Sequence, residues 1–291
     1  MSILQEKIAI CQFCSGETFR ESALDKLNNY YIDNSNFYYF ILTDDKSYFK
    51  NVKRKNFFIN EVKDFFDDYP LLEKNEPLIY AKDKNEYAKI FVETDYKCSF
   101  SLMRLHLLQA LEHNITNVAM VCTDTFFDTS NLNLLPEKKD TTYNAVSEWD
   151  EDSYNEKYGL DIISKFLKEN YNFNVAEKVR VLDAAGRLFR FSSKEKMLDF
   201  FNVWNHVIEY LYENNLMSRY IGSYNKNDEY ILAPIYQYFG LNLEYEHATY
   251  KLFDAKHNVG KERFWRTGGS DGLLEHPNYE EFLKINNLNN G

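Results

Sequence analysis

The sequence predicts an α/β fold around a mixed, mostly parallel central sheet, and three observations predict it. Apolar runs alternate with helical-period stretches from the first residues onward. The runs Lys7–Phe13 (KIAICQF), Phe37–Leu42 (FYYFIL) and Val118–Cys122 (VAMVC) are continuous rather than alternating, which is the pattern of strands covered on both faces. Each run stops at polar, turn-forming residues: Gln12 to Gly16, Thr43-Asp44-Asp45 and Thr123-Asp124-Thr125.

The elements follow in order. After the first strand, Ser15-Gly16-Glu17 punctuates the chain, and Phe19–Tyr31 carries Phe19, Ala23, Leu24, Leu27, Tyr30 and Tyr31 at helical spacing. A third, shorter strand (FFIN) lies within Lys55–Val62. Ser99–Glu112 reads as a helix carrying Leu102, Leu105, Leu108 and Leu111, with Arg104 among them. Thr129–Asp152 is polar and charged, and is expected to be a long loop or lid. Asp161–Tyr171 is expected to be helical, and Val179–Asp183 and Arg187–Phe191 to form a hairpin around Ala184-Ala185-Gly186. Ser193–Asn214 is amphipathic, with Met197, Phe200, Phe201, Trp204, Val207, Ile208 and Leu211 on one face and an N-cap in Ser192-Ser193. Asp228–Phe239 is a further helix closed by Gly240, and Leu241–Glu246 an edge strand. No repeat or linker interrupts the chain, so one domain over 1–291 is expected: a first half (1–128), the loop or lid (129–160), and a second half with a tail (161–291) that completes the cleft.

Composition narrows the function classes. The 291 residues are 44% hydrophobic and 27% charged, within the globular range, and aromatics reach 17%. A net charge of −11 disfavours broad nucleic-acid binding. Of four cysteines, Cys11 and Cys14 have redox or zinc-like spacing, but they end an apolar run and read as strand thiols in a reducing, cytoplasmic setting. No apolar run approaches the length of about 18 residues that a membrane span requires. There is no P-loop, no Gly-x-Gly-x-x-Gly after the first strand and no Gly-x-Ser-x-Gly.

Two features carry chemistry. In open parallel sheets ligands sit beyond the carboxyl ends of the strands, where the three polar stops would converge. Late in the chain, His257-Asn258-Val259-Gly260-Lys261-Glu262-Arg263-Phe264-Trp265 gathers an imidazole, a glycine, two cations and an indole. Such a set can ligate a divalent ion, admit phosphate oxygens to backbone N–H groups, offset their charge and anchor a loop. Asn227-Asp228-Glu229 opens a helix and offers carboxylates for acid–base work or for a helix first turn.

This order of motifs resembles the GT-A fold glycosyltransferases, which use nucleotide-linked sugars. The first strand running into Ser15-Gly16-Glu17 resembles their first nucleotide-contacting strand, and Phe40–Asp45 their second. The helix bearing Arg104 followed by VAMVCTDTFF resembles the helix and strand that lead to their Asp-x-Asp, and His257-x-x-Gly260-Lys261 with Trp265 resembles their closing segment. The first Asp of Asp-x-Asp is Cys122 here, leaving Asp124, and the Lys-Pro-Trp of the closing segment is not intact.

The resemblance implies a single GT-A-like (Rossmann-like) domain that transfers a sugar, with UDP-linked donors expected, to an acceptor hydroxyl. It implies nucleotide-sugar contacts from Gln12, Phe13, Thr43, Asp44, Arg104, Thr123, Gly260, Lys261, Arg263 and Trp265. It implies Mn²⁺ or Mg²⁺ at Asp124 and His257, and catalytic roles for Asp228 and Glu229. The acceptor stays open among a glycan, a small molecule and, less favoured by charge, a nucleic acid. An inactive binding protein of the same fold and a nucleotidyltransferase are the alternatives.

Overall fold

The computed structural model describes residues 6–14, 17–29, 31, 34–65, 67–68, 102–121, 126–127, 139–146, 160–176, 184–214, 216, 229–244 and 253–254. Strand β1 (Ile8–Cys14) leads to helix α1 (Glu17–Asn29), β2 (Phe37–Thr43), a 3-10 turn (Lys46–Phe49), β3 (Phe57–Glu61) and a second 3-10 turn (Val62–Phe65). Then come α2 (Leu105–Glu112), β4 (Asn117–Val121), β5 (Phe126–Phe127), β6 (Thr141–Val146), α3 (Leu160–Tyr171) and β7 (Ala184–Arg190). Helices α4 (Lys194–Glu213) and α5 (Glu229–Tyr238) and the short strands β8 (Asn242–Glu244) and β9 (Phe253–Asp254) complete the described chain.

The main sheet has seven strands in the order β3-β2-β1-β4-β7-β6-β8. Strands β3, β2, β1 and β4 are mutually parallel, β7 pairs antiparallel with both β4 and β6, and β8 runs parallel to β6. The expected mixed, mostly parallel sheet is therefore present. Every residue of β1 is buried, as its unbroken apolar run requires of a central strand. Alternation along the strands sends side chains into two cores. Ala9, Cys11, Phe13, Phe40, Leu42, Val118, Met120 and Phe189 join the core that includes α2, α3, α4 and α5. Ile8, Ile10, Cys14, Tyr39, Ile41, Val121 and Leu188 join the core beneath α1.

Helix ends follow local chemistry. Ser193 Oγ accepts from Lys196 N at 3.1 Å, the expected N-cap of α4. Gly240 closes α5 at φ +58°, with Gly240 N donating to Gln237 O at 3.1 Å and Leu241 N to Tyr236 O at 2.9 Å. Asn114 closes α2 in the same way at φ +59°.

Two expectations are corrected. Ala184-Ala185-Gly186 is not a hairpin turn but the start of β7, with Gly186 opposite Val121 of β4. A strand, β6, lies within the stretch expected to be a loop, and its Thr141–Val146 segment pairs with both β7 and β8. Its mixed TTYNAV composition lacks the apolar run that marks β1, β2 and β4, so tertiary pairing rather than local pattern makes it a strand. No helix among the described residues is long and apolar enough to cross a membrane.

Candidate functional site at the strand carboxyl ends

The chain leaves β1 outward to β2 and β3, then returns to β4 on the other side of β1. The reversal makes the carboxyl ends of β1 and β4 a topological switch point, the crevice where open α/β sheets take ligands. Gln12 and Phe13 lie at that end of β1, in register with Ile41 and Leu42 of β2. Gln12 is 2% exposed and its Nε2 has no hydrogen-bond partner, an unusual state for a buried amide.

Thr43 and Asp44 stand at the neighbouring end of β2, as expected, and both are buried. Arg20 of α1 donates from Nη1 to Asp44 Oδ2 at 2.6 Å, while the Thr43 hydroxyl donates to Asp44 Oδ1 at 3.1 Å. Asp45 caps the following 3-10 turn by accepting from Ser47 N at 2.9 Å, and the bonds from Ser47 hold its carboxyl below the usual range. At the end of β3, Glu61 accepts from Lys46 N at 2.9 Å and pairs with Lys63, and its own N–H donates to Asp64 at 2.9 Å. These carboxylates are engaged with protein groups. Among the described residues, no three His, Cys, Asp or Glu side chains come together as a metal site.

Arg104 precedes α2 and is 2% exposed. Its Nε donates to Asn205 Oδ1 of α4 at 2.9 Å, and Asn205 Nδ2 donates in turn to Glu209 at 2.8 Å. Because α2 feeds β4 from the opposite edge, its first turn lies toward the carboxyl edge of the sheet. Arg104 is thus bonded to α4 at the end of α2 that faces this edge. Glu229 begins α5, and its side chain lies outside the described residues, as do Thr123, Asp124, Asp228, His257, Gly260, Lys261, Arg263 and Trp265. What is described is a two-stranded ribbon, β5–β9, in which Phe126 pairs with Asp254 and Phe127 with Phe253. Phe127 is fully buried in the same core as Ile10, Cys14 and Val121, so the ribbon lies on the α1 side of the sheet.

Three residues are not singled out by sequence. Arg20 has the spacing of a solvent-facing position of α1, and Asn205 that of a polar interruption of α4. Arg187, 1% exposed and opposite Met120 of β4, falls where the sequence suggests the edge of a hairpin. The available signal is a charged residue within an apolar strand pattern.

Cys11 and Cys14 are inert by placement. They are three apart on β1, so they face opposite cores and cannot share a metal or a disulfide. Burial raises both thiols, Cys14 to about 12. Iodoacetamide at pH 8 is expected to leave both unmodified in the native protein, as read by peptide mass mapping. Alkylation of either within minutes would contradict their burial.

His106 of α2 is fully buried, with Nδ1 2.6 Å from Gln109 Oε1, and Gln109 Nε2 donates to Asn60 Oδ1 at 2.6 Å. Its Nε2 has no partner, and burial pushes the imidazole down to about 4, against the opposing bond to Gln109. The folded state therefore takes up this proton less readily than the unfolded chain. The associated stability is complete above the ordinary histidine pKa of 6.5 and is lost as pH falls through about 4, roughly 3 kcal/mol in all. Urea unfolding between pH 7 and pH 4 should show this loss, and His106→Gln should flatten it.

No protein-family model matches the sequence, and no curated protein matches it significantly. Among solved structures, the bifunctional glycosyltransferase WbbM resembles it with a TM-score of 0.40 and 10% identity, over 98% of this chain and 50% of that one. The glycosyltransferase GlyE of Streptococcus pneumoniae TIGR4 resembles it with a TM-score of 0.41 and 9% identity, over 97% of this chain and 60% of that one. The chain therefore spans only 50% to 60% of the length of these two proteins, and similarity of this degree assigns no activity.

Proposed function

We propose that this protein is a glycosyltransferase that moves a sugar from a nucleotide-linked donor, UDP-linked in our reading, to an acceptor hydroxyl. One observation carries the reading: the β5–β9 ribbon beside the switch point. It pairs Phe126, two residues after Asp124, with Asp254, three residues before His257. At no more than about 3.6 Å per residue, chain connectivity alone keeps both within a few residues' reach of one short ladder. The described ladder thus joins two segments that, in sequence, lie next to a carboxylate and an imidazole 133 positions apart.

In this reading Gln12, Phe13, Thr43 and Asp44 receive the nucleoside, and Arg104 supports that end of the sheet from the helical layer. Asp124 and His257 would hold Mn²⁺ or Mg²⁺, a hard cation that would offset charge on the departing diphosphate. Thr123, Gly260, Lys261, Arg263 and Trp265 line and close the site over the phosphates, which excludes water. Asp228 or Glu229 takes the proton of the acceptor hydroxyl.

The test is a thermal-shift screen against UDP-, GDP- and CMP-linked sugars with Mn²⁺. One donor class should raise the unfolding midpoint saturably, because a ligand at a hundred times its Kd stabilises by about 2.7 kcal/mol. Release of UDP or GDP, or of CMP from a CMP-linked donor, should then be measurable. No shift with any nucleotide sugar would remove the reading, and a shift without release would leave a binding protein.

A further inference from the structure

We infer that Arg20 is a specificity-setting positioning residue. By clamping Asp44, it makes the end of β2 a fixed hydrogen-bond acceptor for the nucleoside part of the ligand. The inference rests on the nucleotide-dependent reading above and extends it to a residue outside the motifs that suggested it.

Stability alone does not account for this arginine. It lies in the first turns of α1, where the helix dipole disfavours a cation. Its guanidinium and the Asp44 carboxylate are mostly withdrawn from water, with side-chain exposures of 11% and 5%. Desolvating an ion pair to that degree commonly offsets its Coulombic gain. Arg20 Nε is also buried with no partner, so even its own hydrogen bonding is incomplete.

What the pair does achieve is order, through a ring of contacts. Arg20 and Thr43 each donate to one oxygen of Asp44. Asp45 N donates to Thr43 Oγ1 at 3.3 Å, and Asp45 caps the turn that carries Tyr48. The Tyr48 ring lies 5.4 Å from the Arg20 guanidinium carbon, which returns the circuit to its start. A carboxylate has about four acceptor sites, and the bonds from Arg20 and Thr43, one to each oxygen, fix how it is turned. The charged carboxylate donates nothing, so a ligand arriving at this end of β2 must bring an N–H or O–H. Of the donors a nucleoside offers, the inference commits to the ring N–H of uracil or guanine or to the ribose 2′-hydroxyl.

The test uses calorimetric titration of the full chain with UDP and GDP, each beside its 2′-deoxy form and its ring-N-methylated form. The wild type should bind one parent nucleotide at least about tenfold more tightly than one of its analogues. Loss on N-methylation identifies the base as the source of the hydrogen, and loss on deoxygenation identifies the ribose. Arg20→Met should shrink that ratio to about two- to threefold and should change nothing further in an Asp44→Asn background. If Arg20→Met lacks a cooperative melt, Tyr48→Leu, which keeps the ion pair but removes the wall behind Arg20, should move the ratio the same way. An unchanged ratio in the folded variants, or a wild type indifferent to both modifications, overturns the inference alone. Refusal of UDP and GDP overturns it as well, and refusal of CMP, CDP and ADP too brings down the reading beneath it.

Discussion

Replacing Glu6 by glutamine should destabilise the fold by about 3 kcal/mol, because it strands a buried cation. Glu6 Oε2 accepts from the Arg190 guanidinium, from Lys139 Nζ at 2.8 Å and from Asn117 Nδ2 at 3.1 Å. Arg190 is 2% exposed and stands opposite Asn117 in the β4–β7 ladder. Its Nε donates to Asn117 Oδ1 at 3.1 Å, so one carboxylate just ahead of β1 ties together β4, β7 and the entry to β6. The glutamine keeps the size of the side chain and removes its charge, and the guanidinium then loses the anion it is paired with. The double substitution Glu6→Gln with Arg190→Met should recover most of the loss, since apolar replacement of a buried ionic group is often neutral. Desolvation pulls Glu6 upward, but the bond from Lys139 and the charge of Arg190 together hold its carboxyl below the ordinary 4.5. Its contribution is therefore complete above 4.5 and disappears as pH falls through the depressed value, in a more acid window than that of His106. Urea midpoints of the single and double variants at pH 7 and pH 4 would check both signs. Equal stability of wild type and Glu6→Gln at pH 7 would leave the cluster no structural role.

The sheet was legible where one physical effect dominated. Strands β1, β2 and β4 are buried on both faces, so burial writes itself as a continuous apolar run, and their ends are marked by Thr43-Asp44-Asp45 and by the residues after Val121. Strand β6 was not legible, because its threonines and asparagine are accommodated by pairing with β7 and β8 rather than by an apolar run. Strand β7 was half legible. Gly186 imitates a turn residue, yet it serves as the side-chain-free position opposite Val121. The same division holds at the site. Asp44 could be singled out as a carboxylate at a strand end, but its partner Arg20 lies 24 residues earlier on a helix, and only the β1–α1–β2 crossover brings them together. Gln12 could be named from its place in β1, whereas its lack of any partner on Nε2 is a property of the packed structure.

Substituting Asp124 by alanine should lower turnover by at least about a hundredfold while the thermal midpoint stays close to wild type, provided the proposed reaction holds. The expectation comes from where negative charge must go. As the sugar leaves, charge builds on the diphosphate, and groups set beforehand to meet it in a site shielded from water act far more strongly than the same groups in solution. The carboxylates at the ends of β2 and β3 are poorly suited to hold a cation there. Asp44 is clamped by Arg20 and Thr43, Asp45 caps a turn, and Glu61 is bonded to Lys46 N and Lys63. Asp124 follows β4 by three residues in sequence, and β4 lies across β1 from β2 and β3. A loss carried by Asp124 should appear in kcat, with the nucleoside contacts of β1 and β2 preserving donor affinity to within a few fold. Asp44→Asn should do the reverse, raising KM while leaving more of kcat. The pair of variants thus separates binding from charge stabilisation: undiminished transfer by Asp124→Ala would place the charge-offsetting group elsewhere, with Lys261 and Arg263 of the tail the next to replace.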